Sequence, residues 1–376
     1  MQMMEFEIDQ ARFLSALTLA QTVADRRSTM PVLANVLLRA TDQDELVCCA
    51  TDMMIALTET VSCKVNSPGS LTLGVRHLHN VVRTLPSGAV KVKSLDNSWA
   101  QILASRSEFK LMGMPEGDFP ELPDPAGVAL TELASHKLVD LIERTLFSVS
   151  TDEARVNLNG ALFESDGQQA TMVSTDGHRL TKYSVALEGP DLPKGIIIPR
   201  KGMDEIRRVL NRVEGTCKLG ISDQYMFVEA DALMLSVKLT DGTFPPWQST
   251  IPKDFQRRAS VGRDDLMAAL RQVVVIAPEK TATVRLQLDN RNIELHADNP
   301  GLGAIILDLP VDYDGRSLTA GFNANYMIDA LGAIRTDRVY LEFQGPLDPC
   351  VIRPEFGGAP IDDADDFMSV IMPMRI

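Results

Sequence analysis

Several kinds of chemistry are missing from this sequence. It has five cysteines in 376 residues, Cys48, Cys49, Cys63, Cys217 and Cys350, and no two of them form a C-x-x-C pair. An odd count without that spacing is neither a disulfide framework nor a structural zinc site, so the thiols read as reduced and buried and no metal is expected. Histidine is also scarce, at five residues, and neither G-x-x-x-x-G-K-[ST] nor G-x-G-x-x-G occurs. The usual phosphate-cradling loops are therefore absent, and no cofactor is expected. No apolar run approaches the roughly 20 residues a membrane helix needs. The opening MQMMEFEIDQARF places acids where a secretory signal would be basic and then apolar, so a cytoplasmic protein is expected. Positive charge is in deficit overall, at a net −14. Averaged over the molecule, that argues against binding DNA, but DNA responds to the local field rather than to the sum.

What is present is a long, degenerate threefold repeat. FEIDQARFLSALTLAQTVA from Phe6, ALTELASHKLVDLIERTLFSV from Ala129 and ASVGRDDLMAALRQVVVIA from Ala259 each pair a short alternating run with an amphipathic helix. Two β-type runs around a polar turn follow in each case: ELVCCATDMMIALTETV, QQATMVSTDGHRLTKYSVAL and NIELHADNPGLGAIILDLPV. The expected hinges are Asp52, Asp176 and Asp298, since Asp-Gly and Asn-Pro are strong turn formers. Each unit also holds a second helix, in SLTLGVRHLHNVVRTLP, GIIIPRKGMDEIRRVLN and SLTAGFNANYMIDALGAI, with a strand on either side. The period is about 125 residues, which is the size of a domain and far too long for a solenoid repeat. Proline-rich joints, FPELPDPAG from Phe119 and FPPWQSTIPKDF from Phe244, punctuate the units. The expectation is an α+β protein of three similar domains, 1–125, 126–253 and 254–376, each with two helices packed on antiparallel sheets.

Charge is unevenly spread over that plan. The second helix of the first unit carries Arg76, His77, His79 and Arg83 without an acid, and Arg26 and Arg27 follow the first helix. The middle unit has Arg200, Lys201, Arg207, Arg208 and Arg212 against Asp204 and Glu205 on one helix, and Lys137 and Arg144 are expected on the other. Acids gather at strand ends, joints and the run Asp362–Asp366. One basic surface could then meet phosphates while the rest stays acidic. The third unit weakens this pattern, because NANYMIDALGAIR is nearly uncharged. No zinc finger, RNP motif or helix-turn-helix is present, so any DNA contact would ignore sequence and respond to salt. An acid–base pair of Asp176 and His178 is the main enzymatic alternative. It lacks a nucleophile or metal cluster beside it, and a non-enzymatic role is expected.

Taken in order, STDGHRL (Ser174–Leu180), IIIPRKGMDEI (Ile196–Ile206), DGTFPPW (Asp241–Trp247), GFNANYMIDAL (Gly321–Leu331) and the terminal MPMRI (Met372–Ile376) resemble the beta subunit of bacterial DNA polymerase III, the sliding clamp. MPVLANVLL (Met30–Leu38) adds to the likeness, which spans essentially the whole chain. The resemblance implies a DNA clamp fold and a head-to-tail homodimeric ring. Such a ring encircles double-stranded DNA and tethers the replicative polymerase, making it processive. A clamp-derived protein-binding scaffold that does not encircle DNA is the other reading left open.

The family's motifs imply three sets of site residues. A partner-peptide groove would use Leu158, Thr175, Gly177, His178, Arg179, Leu180, Pro245, Trp247, Asn323, Tyr326, Val370, Met372, Pro373, Met374 and Arg375. It would serve the DNA polymerase III alpha subunit, the clamp loader and other proteins with clamp-binding motifs. Arg27, Arg76, Arg200 and Lys201 would face DNA. Phe109 and Leu111, with Val275 and Ile276, would form the dimer contact. The chain departs from the family in three places. Gln248, Ser249 and Thr250 stand where Arg and Val are frequent, and Val156 and Asn157 replace aromatics. Where clamps carry several acids after the third Asn-Pro, Asn299–Val311 reads NPGLGAIILDLPV, which points to a more apolar contact or a different pairing.

Overall fold

A computed structural model describes residues 3–188, 191–356 and 366–376; Asp362, Asp363 and Asp365 of the acidic run lie outside the described residues. Six α-helices occur among them: α1 (Gln10–Val23), α2 (Val75–Thr84), α3 (Ser135–Glu143), α4 (Arg200–Leu210), α5 (Arg263–Ile276) and α6 (Ala324–Gly332). Each repeat supplies two, as the pattern predicts. Helix α1 starts where Asp9 Oδ1 accepts the backbone N–H of Ala11 at 3.0 Å and of Arg12 at 3.2 Å. Asn323 does the same for α6, accepting from Asn325 at 2.9 Å and Tyr326 at 3.3 Å. The apolar stripe of α1 buries Phe13, Ala16, Leu17, Ala20 and Val23, while α2 buries Val75, Leu78 and Val82 and leaves Arg76, His77 and Arg83 exposed. Each large buried side chain contributes about 2 kcal/mol, which holds helices too short to persist alone.

Among the described residues the strands form three sheets, of thirteen, eight and four strands, and every strand pairing within them is antiparallel. The contacts divide the chain into two compact units: Met1–His136 with Lys201–Leu239, and Lys137–Arg200 with Thr240–Ile376. The first unit holds the thirteen-stranded sheet, with α1 packed on α2; the second holds the other two sheets, with α5 packed on α6. The middle repeat is thus shared out. Its strand Leu233–Lys238 pairs with Ile55–Ser62, setting Leu235 opposite Leu57. Its strand Arg179–Ala186 pairs with Asp366–Ile371, setting Leu180 opposite Val370. The units of sequence repetition are therefore not the units of compactness, because hydrogen-bonded sheets run across the repeat joints.

Both proline-rich joints are anchored by a buried phenylalanine. Phe119 packs with Val32, Leu33, Leu37 and Cys49, and Phe244 packs with Leu162, Val173, Leu180, Ile197 and Val370. Two local expectations need correction. Asp298 does not sit at a hinge: the strand Asn292–Asn299 continues through it, and the chain reverses at Pro300–Leu302, closed by Leu302 N–H donating to Asn299 O at 3.0 Å. Arg144 is not on the polar face of α3. It follows the helix, is only 7% exposed, and lies 4.6 Å over the ring of Tyr183. Its long apolar stem makes that burial compatible with a charged tip.

Candidate partner groove and nucleic-acid face

The STDGHRL motif forms a tight turn between the strands Gln169–Thr175 and Arg179–Ala186. Asp176 Oδ1 accepts the backbone N–H of His178 at 2.9 Å and of Arg179 at 3.0 Å. Thr175 Oγ1 accepts from Gly177 N at 3.1 Å and donates to Arg179 O at 2.6 Å. Gly177 has φ +87°, a left-handed conformation that glycine adopts without steric cost. Asp176 therefore binds the main chain of His178, and this geometry makes it a turn former. The acid–base pair considered from the sequence has no support here.

Arg179 is the girder of the site. It donates to Asp176 Oδ2 at 3.0 Å, to Asp329 Oδ2 at 2.6 Å and to the carbonyl of Phe147 at 2.5 Å. Its guanidinium also stacks 4.3 Å from the Tyr326 ring and 5.3 Å from Phe147. One planar cation thus ties the turn to α6 and to the segment Leu146–Ser148. Burial chiefly, with the nearby Asp176 charge, pushes the Tyr326 phenol above its ordinary value.

Beneath the turn, Leu180 and Val370 belong to one buried cluster, with Trp247, Ile251 and Phe255 packed on its rim. The indole N–H of Trp247 is buried and unpartnered among the described residues. His178 is exposed, and its carbonyl accepts from Met372 N at 2.9 Å. The tail then runs over the strand Leu318–Asn323, where Met374 N donates to Gly321 O at 2.8 Å. A Cβ on Gly321 would lie 2.8 Å from the Met374 carbonyl and collide with Ile376, so glycine is what admits the tail. Met372, Pro373 and Met374 are half-buried and Arg375 is exposed. Pro245 is exposed on the joint, and Leu158 is half-buried, its N–H donating to Arg155 O at 2.8 Å. Asn323 is occupied as the cap of α6.

Of the predicted residues, Leu180, Val370 and Trp247 thus share one apolar floor, Tyr326 stacks on Arg179 of the adjoining turn, and Met372 bonds to that turn. Sequence reasoning missed Arg155, whose guanidinium reaches the Asp176 carbonyl at 3.2 Å, and Asp329, one helical turn after Tyr326. The i, i+3 spacing of Tyr326 and Asp329 was a readable signal. The reach of Arg155 was not, because it depends on how its loop folds back.

The four cations expected to face DNA differ in how their charge is used. Arg27 and Arg76 are exposed, and neither side chain has an ion pair among the described residues, although the Arg27 backbone N–H donates to Asp25 Oδ1 at 2.8 Å. Lys201 is exposed but ion-paired to Asp52. Arg200 donates to the carbonyls of Leu146 and Val149, both at 3.1 Å. On α4 the basic face is partly neutralised, by Arg207 with Asp204 at 3.1 Å and by Arg208 with Glu205.

At the expected dimer residues, Phe109 and Leu111 are half-buried on the strand Ser107–Met114. Val275 is 72% exposed near the end of α5, beside half-buried Ile276. All five cysteines are free, and burial pushes the Cys63 thiol up to about 11. Such thiols stay protonated and unreactive. Among the described residues, no group of three or more His, Cys, Asp or Glu could hold a metal, and no helix is long and apolar enough to cross a membrane.

These features are those of a DNA clamp fold. The chain matches the DNA polymerase III beta subunit in three successive parts: its N-terminal domain over residues 4–123, its central domain over 132–246 and its C-terminal domain over 248–375. It is 33% identical to the beta sliding clamp of Caulobacter vibrioides, over 99% of this chain and all of that protein. Among solved structures, the Caulobacter crescentus DNA polymerase sliding clamp superposes with a TM-score of 0.90 at 32% identity, covering 99% of this chain and 100% of that one. A Pseudomonas aeruginosa sliding clamp bound to griselimycin gives 0.91 at 30% identity, with the same coverage. The chain belongs to the DNA polymerase III beta subunit family, the bacterial sliding clamps.

Proposed function

We propose that two copies of this chain join head to tail around duplex DNA and tether the replicative polymerase there. As a member of its family the chain is a processivity factor and not an enzyme. The observation that carries the reading is the unbroken match of all three parts to one family of clamps, with relatives covered end to end. Attachment would be topological: weak phosphate contacts allow sliding, and closure prevents escape. Arg27 and Arg76, exposed and unpaired, are the stronger candidates for those contacts, and Arg200 and Lys201 contribute from more constrained positions. The modules would follow the repeat, at 1–125, 126–253 and 254–376, whatever the sharing of sheets between them. A cytoplasmic location fits such a role.

Partners would dock extended peptides between the Thr175–Leu180 turn and the tail, with apolar anchors on the Leu180 and Val370 floor. The polymerase III alpha subunit and the clamp loader are the expected partners. The Pseudomonas aeruginosa sliding clamp binds griselimycin.

Retention on nicked circular DNA, with release on linearisation, tests the central reading. Equal retention on both forms would mean simple binding, and none on either would mean a scaffold that does not enclose DNA. Removing Met372–Ile376 should weaken a clamp-binding peptide by about a hundredfold, the loss expected when a central anchor pocket is removed. Undiminished binding would reject the groove.

A further inference from the structure

Several arginines of the third repeat are engaged by nearby acids. Arg258 and Arg353 share Glu342, Arg263 holds Asp264, Arg335 holds Asp140 and Arg338 holds Asp312. Arg257, Arg291 and Arg316 differ. None of them has an ion pair among the described residues, and all three border one loop, 311–317. That loop is stitched down on both sides. On one, the Arg291 backbone N–H donates to the Tyr313 carbonyl at 2.9 Å, and the Val311 N–H donates to the Arg291 carbonyl at 3.2 Å. On the other, Arg257 Nε donates to the Arg316 carbonyl at 3.1 Å, and Arg257 Nη1 donates to the Gln344 carbonyl at 2.8 Å. The Tyr313 phenol, 7% exposed, donates to the same Arg316 carbonyl at 2.6 Å and fixes the middle of the loop.

Neutral carbonyls orient Arg257 without cancelling its charge, and Arg291 and Arg316 are exposed. Acids also lie beside this loop. Asp312 is paired with Arg338 at 2.7 Å. Hydrogen bonds from the Ser317 hydroxyl and then the Gln287 amide hold the Asp289 carboxyl below its ordinary value. Asp314 is exposed and has no ion pair among the described residues. Arg257, Arg291 and Arg316 therefore stand against Asp289 and Asp314. That is a local positive excess in a chain whose net charge is −14. A ligand responds to the local field rather than to the sum.

We propose that this face docks an acidic segment of a partner protein, whose carboxylates pair with the Arg257, Arg291 and Arg316 guanidiniums. The planar fork of arginine meets a carboxylate through two parallel hydrogen bonds, and a loop locked in advance loses little freedom on binding. A polynucleotide is the poorer match. Strands bound without regard to sequence are held by many phosphate contacts along a basic groove and by bases stacked on open aromatic rings. Here the unpaired cations are few, and Tyr313, the ring among them, is buried. None of these arginines belongs to the sets expected to face DNA, to line the peptide groove or to join two copies of the chain. The proposal therefore does not rest on ring closure.

Fluorescence anisotropy of a labelled oligoglutamate peptide with the full chain tests this, with oligoglutamine and oligothymidylate as comparison probes. Oligoglutamate should bind saturably, and Arg291→Glu with Arg316→Glu should weaken it by about tenfold, the loss expected for a pair of exposed ion contacts. Neither side chain makes a hydrogen bond among the described residues, so the variant should melt where the parent does. Should it melt lower, Arg291→Gln with Arg316→Gln removes the charge more gently and should weaken binding by about threefold. Oligoglutamate that binds parent and variants alike, or that binds neither, would overturn the assignment of this face. Oligoglutamine binding as tightly as oligoglutamate would overturn recognition through carboxylates. Oligothymidylate binding more tightly than oligoglutamate, with the same loss in the variants, would overturn the acidic segment in favour of nucleic acid.

Discussion

Thr51 in the first unit and Thr175 in the second occupy the same place in the same turn. Thr51 Oγ1 accepts from Met53 N at 3.0 Å and donates to Ile55 O at 2.7 Å, as Thr175 does with Gly177 and Arg179. Asp52 Oδ1 accepts from Met54 N at 2.9 Å and Ile55 N at 2.7 Å, matching Asp176 with His178 and Arg179. A strand from far along the chain closes each turn: Lys238 N donates to Met54 O at 2.8 Å, and Met372 N to His178 O at 2.9 Å. The left-handed position is Met53, φ +74°, in one and Gly177, φ +87°, in the other. The second carboxylate oxygen takes an exposed Lys201 in the first and a nearly buried Arg179 in the second. Beyond the closing strand, one chain runs on into the joint at Leu239, and the other ends in the tail Met372–Ile376. The repeat supplied two copies of a scaffold. What separates them is a locked arginine and a chain end laid beside it.

Substitutions that exploit this difference should rank accordingly. Arg179→Ala leaves Asp176 and Asp329 without their cation and should cost about 2–4 kcal/mol in chemical denaturation, with a matching loss of peptide binding. A cost near zero would mean that Arg179 is ornamental. Gly177→Ala forces a side chain into left-handed backbone and should destabilise by about 1 kcal/mol. Met53→Gly runs the other way, relieving the same strain at the cost of chain entropy, and should stabilise by about 0.5 kcal/mol. If both substitutions destabilise equally, the two turns are less alike than their hydrogen bonds indicate. Smallest of all, Lys201→Ala removes an exposed ion pair and should change stability by less than about 0.5 kcal/mol.

A pH test separates a different pair of carboxylates. Burial raises Glu59 above its ordinary value, while hydrogen bonds from Ser70 and Arg39 lower Glu116. Raised in the folded state, Glu59 favours folding while protonated and loses that advantage as pH rises through its folded pKa. Glu59→Gln should therefore raise the melting temperature by about 2 °C at pH 7, with the gain shrinking towards pH 4. Glu116→Gln should do the reverse, losing stability at pH 7 and little at low pH. An unchanged melting temperature in both variants would remove these groups from the pH response.

Much of this was readable in the amino-acid order. The hinges at Asp52 and Asp176 and the six helices follow from turn chemistry and periodicity, which act over a few residues, whereas the groove residues around STDGHRL were implied only by the resemblance of motifs. Asp298 misled because the Asn-Pro immediately after it is itself a competent turn, and the strand's alternation of Ile293, Leu295 and Ala297 carried pairing up to it. Arg144 misled because a charge at helical spacing gives no hint of the aromatic ring that takes it in. The division of the middle repeat between two units could not be read at all. Which edges meet is decided by partners more than a hundred residues away.

The pairing of Ile55–Ser62 with Leu233–Lys238 has a consequence for how the chain is made. As the polypeptide leaves the ribosome, the first strand emerges nearly two hundred residues ahead of its neighbour, a gap set by positions 55 and 237. Throughout that interval Ile55 and Leu57 border a bare sheet margin, and long-range strand pairing is intrinsically slow. Synthesis at about 5–20 residues per second leaves that margin uncovered for roughly ten seconds or more. A nascent chain stalled before Leu233 should therefore be the species that chaperones hold and that aggregates first when they are depleted.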